Sequence, residues 1–106
     1  MSDFIKVAEV SDLEEGDLIF VEVDGEPICL AKANGVICAF TDSCTHIGGS
    51  LSEGELDGDV ITCPLHGAQF NVHTGQVLRG PAQQNIPTYP VKIEGNSVLV
   101  ALPDEM

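Results

Sequence analysis

EPICLAKANGVICAF, residues 26–40, sets two apolar runs on either side of a single Asn-Gly pair. Asn34 and Gly35 both take positive φ readily, which a two-residue hairpin demands, so the stretch is expected to fold back as two antiparallel strands. That turn puts Ala33 opposite Val36, Ala31 opposite Cys38 and Cys29 opposite Phe40. Cys29 and Cys38 then share a face but lie on a diagonal, about 7–8 Å apart. An unstrained disulfide needs a closer pair, so both read as small core residues.

The same grammar extends outward. DLIFVEV (17–23), DVITC (59–63), YPVKIE (89–94) and SVLVAL (97–102) are short runs rich in Val and Ile. Asp24-Gly25, Asp57-Gly58 and Gly95-Asn96 punctuate them, so at least three hairpins are expected. No window sustains a helical period, and SDLEEGD (11–17) makes one turn at most. The expected fold is all-β, a small antiparallel sandwich or barrel.

A chain of 106 residues with 43% apolar content holds one modest core, so residues 1–106 are read as a single domain. No run approaches a membrane span, and MSDFIKV lacks the basic and apolar regions of a signal peptide. The cytoplasm is therefore the expected compartment, where cysteines serve as ligands more often than in disulfides. Seventeen acidic residues against four basic ones give a net charge of −13, which argues against nucleic acid and anionic membrane as partners. Such acidity either keeps the protein in solution or steers it to basic patches on partners.

Between residues 41 and 81 the composition changes: seven glycines imply tight loops built around something. CTHIGG (44–49) and CPLHGAQF (63–70) hold the two remaining cysteines and two of the three histidines. Cys44-x-His46, sixteen residues, then Cys63-x-x-His66 gives two loops, each offering one thiolate and one imidazole. Two thiolates and two imidazoles suit zinc or an iron–sulfur centre. Zinc modules usually pair like with like, whereas here each loop carries one of each and no helix is available.

The pattern C-T-H-x₁₆-C-P-L-H-G closely resembles the Rieske motif. Phe70-x-x-x-Thr74-Gly75 and the Gly80-Pro81-Ala82 loop extend the likeness, which covers essentially the whole chain. The resemblance implies a Rieske-like β-fold with a loop-rich cluster-binding subdomain over about 42–82, carrying one [2Fe–2S] cluster. Cys44 and Cys63 would hold the inner iron, and His46 and His66 the outer one. Ile47, Leu65 and Pro81 would shield the cluster from water. His73 reads as a solvated turn residue, since four ligands are already supplied. The oxidised core is neutral with two thiolates, where a four-cysteine cluster is already negative, so reduction is easier. Respiratory and photosynthetic members join their loops by a disulfide, at positions occupied here by Gly49 and Leu65. They also place hydroxyls near the sulfurs, where this chain has Ala68 and Phe70. Fewer hydrogen bonds to sulfur imply a low potential for a Rieske centre.

Oxygen activation in related oxygenases needs a mononuclear iron on two histidines and a carboxylate, and only His73 is left over. The chain therefore reads as a carrier and not an enzyme. By resemblance it is the ferredoxin component of a bacterial aromatic-ring-hydroxylating dioxygenase system. It would take electrons from an NAD(P)H-dependent flavoprotein reductase and pass them to a terminal oxygenase, acting as a monomer. Two alternatives are a Rieske-like small subunit of another redox complex, such as an assimilatory nitrite reductase, and a zinc-stabilised binding module.

Overall fold

The computed structural model describes residues 4–42, 50–64, 67–80 and 85–101. The Asn34-Gly35 hairpin sits at its centre, joining β3 (Glu26–Ala33) to β4 (Val36–Thr41). The pairs Ala33–Val36, Ala31–Cys38 and Cys29–Phe40 are those expected from the turn alone. Asn34 and Gly35 have φ of 55° and 77°, and Asp24 and Gly25 in the preceding turn have 51° and 82°. Both are left-handed at both central residues, the geometry that Asn-Gly and Asp-Gly adopt most cheaply.

Around that hairpin, β1 (Phe4–Glu9) and β2 (Leu18–Val23) come first. After β4 follow four short strands: β5 (Glu55–Asp57), β6 (Val60–Thr62), β7 (Gln69–Asn71) and β8 (Val77–Arg79). Then β9 (Thr88–Tyr89), β10 (Val91–Glu94) and β11 (Ser97–Ala101) complete the chain. Strand pairing is antiparallel throughout, in three sheets ordered β1-β11-β10, β2-β3-β4-β9 and β5-β6-β7-β8. The only helical pieces among the described residues are two single 3-10 turns, Val10–Asp12 and Leu51–Glu53. The first lies at the start of the segment read as one turn at most.

The β2-β3-β4-β9 sheet is the middle layer, because β3 and β4 bury both faces. Alternation along a strand sends neighbours to opposite sides. Ile28, Leu30 and Ala39 meet Leu13, Val23, Val98 and Val100 on one side. Cys29, Ala31, Ala33, Cys38 and Phe40 meet Leu51, Ile61, Phe70, Val72 and Ile86 on the other. Apart from Phe40, the second interface uses small residues on the middle sheet and larger ones on the β5–β8 sheet and its flanking segments, so the layers interlock without overpacking. The two cysteines are therefore fillers, free and buried as expected. Burial pushes the Cys38 thiol up to about 11. Burial pushes Cys29 higher still, helped by the charges of Asp42 and Cys38.

Two differences from the expected strands have simple causes. Residues 89–94 are not one strand: Thr88–Tyr89 pairs with β4 and Val91–Glu94 pairs with β11. Pro90 between them lacks an N–H and marks where the chain changes sheets, while its carbonyl accepts from the Ala101 N–H at 3.1 Å. The glycine-rich middle is also not loop alone. Its three-residue strands are too short to leave a period, yet they form a full four-stranded sheet.

Candidate metal centre

Of the residues singled out as ligands and shields, Cys63 is described. Cys44, His46, Ile47, Leu65, His66 and Pro81 lie outside the described residues. Cys63 directly follows β6, at the end of the β6–β7 hairpin. The ladder Ile61–Phe70 and Thr62–Gln69 continues past the strands through the Cys63 N–H, which donates to the Ala68 carbonyl at 2.7 Å. The Gly67 N–H then donates back to the Cys63 carbonyl at 3.2 Å, with Gly67 at φ 78°. A tight closed loop results, with the thiol at its base. Cys63 is 1% exposed, is in no disulfide, and packs in the same core as Ala68, Phe70 and Leu51.

The other loop leaves the middle sheet at Asp42 and returns at Ser50. Its ends are tied together by one residue. The Leu51 N–H donates to the Asp42 carbonyl at 2.7 Å, and the Ser52 N–H donates to Asp42 Oδ1 at 2.6 Å. The Ser50 hydroxyl donates to Asp42 Oδ2. The Asp42 N–H donates in turn to the Pro27 carbonyl at 3.0 Å, fixing this knot to the middle sheet. Sequence reading missed this role, although an aspartate and two serines bracketing a ligand loop are the residue types that bond locally to backbone N–H groups.

A third support comes from the segment entering β9. The Ile86 N–H donates to the Gly75 carbonyl at 2.8 Å, and the Val77 N–H donates to Asn85 Oδ1 at 2.9 Å. Gly75 has φ of 77°, and a Cβ there would stand 2.2 Å from the Ile86 carbonyl oxygen. The Thr-Gly of the motif therefore serves close packing between this segment and the β7–β8 turn. His73 lies in that turn, half-buried, where Asn71 Oδ1 accepts its N–H at 2.8 Å. Ala68 and Phe70 are fully buried and bring no hydroxyl to the site.

A buried sulfur in no disulfide, at the base of a hydrogen-bonded hairpin, fits a cluster that needs protected thiolates. Antiparallel layers with an inserted four-stranded sheet, whose β6–β7 hairpin carries that sulfur, define a small β-domain able to hold a metal cluster. The description "Rieske [2Fe-2S] domain" matches residues 3–90. The chain belongs to the Rieske [2Fe–2S] family, whose cofactor is the iron–sulfur cluster and not zinc. The ferredoxin component of the naphthalene 1,2-dioxygenase system of Pseudomonas putida is 43% identical over 99 residues, covering 93% of this chain and 95% of that one. The ferredoxin of Sphingomonas yanoikuyae B1 superposes with a TM-score of 0.90 at 29% identity, over 95% of this chain and 100% of that one. A chain from the complex of reduced oxygenase and oxidized ferredoxin in carbazole 1,9a-dioxygenase also gives 0.90, at 36% identity over 97% and 96%. Among the described residues, no helix is long and apolar enough to cross a membrane.

Proposed function

We propose that the protein is a soluble one-electron carrier of an aromatic-ring-hydroxylating dioxygenase system, taking electrons from an NAD(P)H-dependent flavoprotein reductase and delivering them to a terminal oxygenase. The observation that carries this reading is the full-length likeness to proteins named as ferredoxin components of such systems. The likeness to a chain from an oxygenase–ferredoxin complex supports the oxygenase as recipient.

Within residues 42–82, Cys44 and Cys63 are the proposed thiolate ligands, and His46 and His66 the proposed imidazole ligands. Ile47, Leu65 and Pro81 are the proposed shields. When bound, the cluster supplies reversible one-electron transfer. The chain's own residues do the rest. Cys63 keeps its sulfur buried, the Cys63–Ala68 and Asp42–Ser52 bonds tie together the residues that flank the two proposed ligand segments, and the alanine and phenylalanine at 68 and 70 withhold hydroxyl donors from the site. Fewer donors to sulfur favour the oxidised state and place the midpoint toward the lower end of the Rieske range. Histidine edges at an exposed tip would serve both partners in turn, so complexes are weak and short-lived and the carrier is a monomer.

The test is reconstitution: purified protein mixed with a dioxygenase-type flavoprotein reductase, NADH and a terminal oxygenase under stopped flow. Carrier-dependent reduction of the oxygenase is the expected result. A protein that the reductase leaves oxidised, or that stays in a stoichiometric complex with a large reductase, contradicts the proposal.

A further inference from the structure

We propose that Asp42 is the positioning residue of the centre: its carboxylate clamps the two ends of the first ligand loop and so governs how firmly the cluster is retained. This rests on the ligand assignment proposed above, because Cys44 stands two residues from the clamp.

Asp42 is only 4% exposed, and it is the sole buried charged residue among those described. Burying a carboxylate is costly unless it is paired or well hydrogen-bonded. No ion pair serves it among the described residues, whose ion pairs join Lys6 to Glu9 and Lys92 to Glu94. Compensation comes from the Ser52 N–H and the Ser50 hydroxyl, which bond its two oxygens separately. Its backbone N–H and carbonyl are both engaged as well, so every polar group on the residue is spent on holding the knot.

The partners show what the knot is for. Ser50 occupies the cap position of the Leu51–Glu53 turn, yet its side chain does not cap that turn. Asp42 supplies the capping acceptor instead, from the other end of the loop. A local serine cap would satisfy the turn as well and would leave the loop ends independent. Capping across the loop links departure and return through charge-assisted bonds, the stronger class. Leu51, held at the same point by the Asp42 carbonyl, is fully buried in the core that contains Cys63. The clamp therefore ties the residues flanking 43–49 to the core that holds Cys63. Cys44 follows Asp42 by two residues, a span of at most about 7 Å along the chain, so the clamp fixes the backbone next to that proposed ligand.

The experiment compares wild type, Asp42→Ala, Asp42→Asn and Ser50→Ala, each purified anaerobically with its cluster. The readouts are EPR g-values and the half-time of iron release to a ferrous chelator, alongside urea unfolding as a measure of global stability. Asp42→Ala should release iron about tenfold faster or more, the factor that losing hydrogen bonds to a charged group implies, with broadened g-values. Asp42→Asn keeps an acceptor for Ser52 and offers a donor to Ser50, so it should rescue release to within about threefold of wild type. Ser50→Ala should fall between them. Should Asp42→Ala fail to fold, the ordering of Asp42→Asn and Ser50→Ala against wild type decides. Release rates and g-values equal to wild type in every variant that folds overturn the clamp, as does release that merely tracks urea stability. A wild-type protein without a Rieske EPR signal overturns the ligand assignment instead, a distinguishable failure.

Discussion

At the scale of single residues, the three described cysteines occupy two kinds of place. Cys29 and Cys38 fill the core between the middle sheet and the β5–β8 sheet with raised thiol pKa values, while Cys63 lies at the base of a hydrogen-bonded hairpin. Replacing Cys29 and Cys38 together by alanine should keep the visible spectrum and cost about 1–2 kcal/mol in packing, read by urea titration. Cys63→Ser should leave the protein colourless. Retained colour in the serine variant, or loss of colour in the double alanine, reverses the division. Two glycines make a second contrast. Gly25 has φ of 82° and open space around it, whereas Gly75 has positive φ and a carbonyl oxygen where a Cβ would go. Gly25→Ala should cost roughly 1–2 kcal/mol from backbone strain alone, and Gly75→Ala clearly more. Equal melting shifts would mean that the segment at Ile86 yields freely. That Cys29 and Cys38 are buried fillers was legible from one turn, while the ligand role proposed for Cys63 comes from the motif. Asp42 was not legible, because its partners are fixed only once the loop ends meet.

Among the elements, the β3–β4 hairpin was readable to the residue, since a two-residue turn fixes the register of everything attached to it. Of the four three-residue strands, β6 was read within DVITC (59–63) and the other three were not. Their alternation spans one period at most, and glycines dominate the local composition. Nor did the sequence betray Glu15, whose carboxylate accepts from the Asn34 N–H at 2.7 Å and the Gly35 N–H at 2.9 Å. Two successive N–H groups of a left-handed turn form a small anion cradle. The Gly35 bond first, then the Asn34 bond, hold the Glu15 carboxyl below its ordinary value, with Lys32 helping slightly. A depressed folded pKa means that the stabilisation is present above the unfolded value and lost as pH falls through the folded one. Glu15→Gln should therefore melt lower than wild type at pH 7, and the gap should close as the pH drops below about 4. A gap that persists undiminished into strong acid would assign the effect to packing.

At the scale of the molecule, three sheets share two cores, and the middle sheet's small residues leave room for the inserted sheet to dock. The short apolar runs and their turns made a small antiparallel sandwich or barrel legible; a middle sheet buried on both faces followed only from the full geometry. Net charge acts at this scale too. With −13 spread over 106 residues, association with basic partner surfaces should be fast at low salt and slow as screening grows. In the reconstituted chain, the second-order rate of electron delivery should fall by about an order of magnitude between roughly 20 and 300 mM salt. A flat salt profile would confine the acidity to keeping the protein in solution.

The central claim is that this domain carries a Rieske cluster of low potential, and one titration tests it. Protein purified anaerobically would be followed by visible absorption and low-temperature EPR during a dithionite titration. The account predicts a red-brown protein that bleaches, a rhombic signal of low average g in the reduced state, and a midpoint below zero, toward roughly −150 mV. A colourless protein containing one zinc ion, or a cluster with a midpoint well above zero, would contradict it.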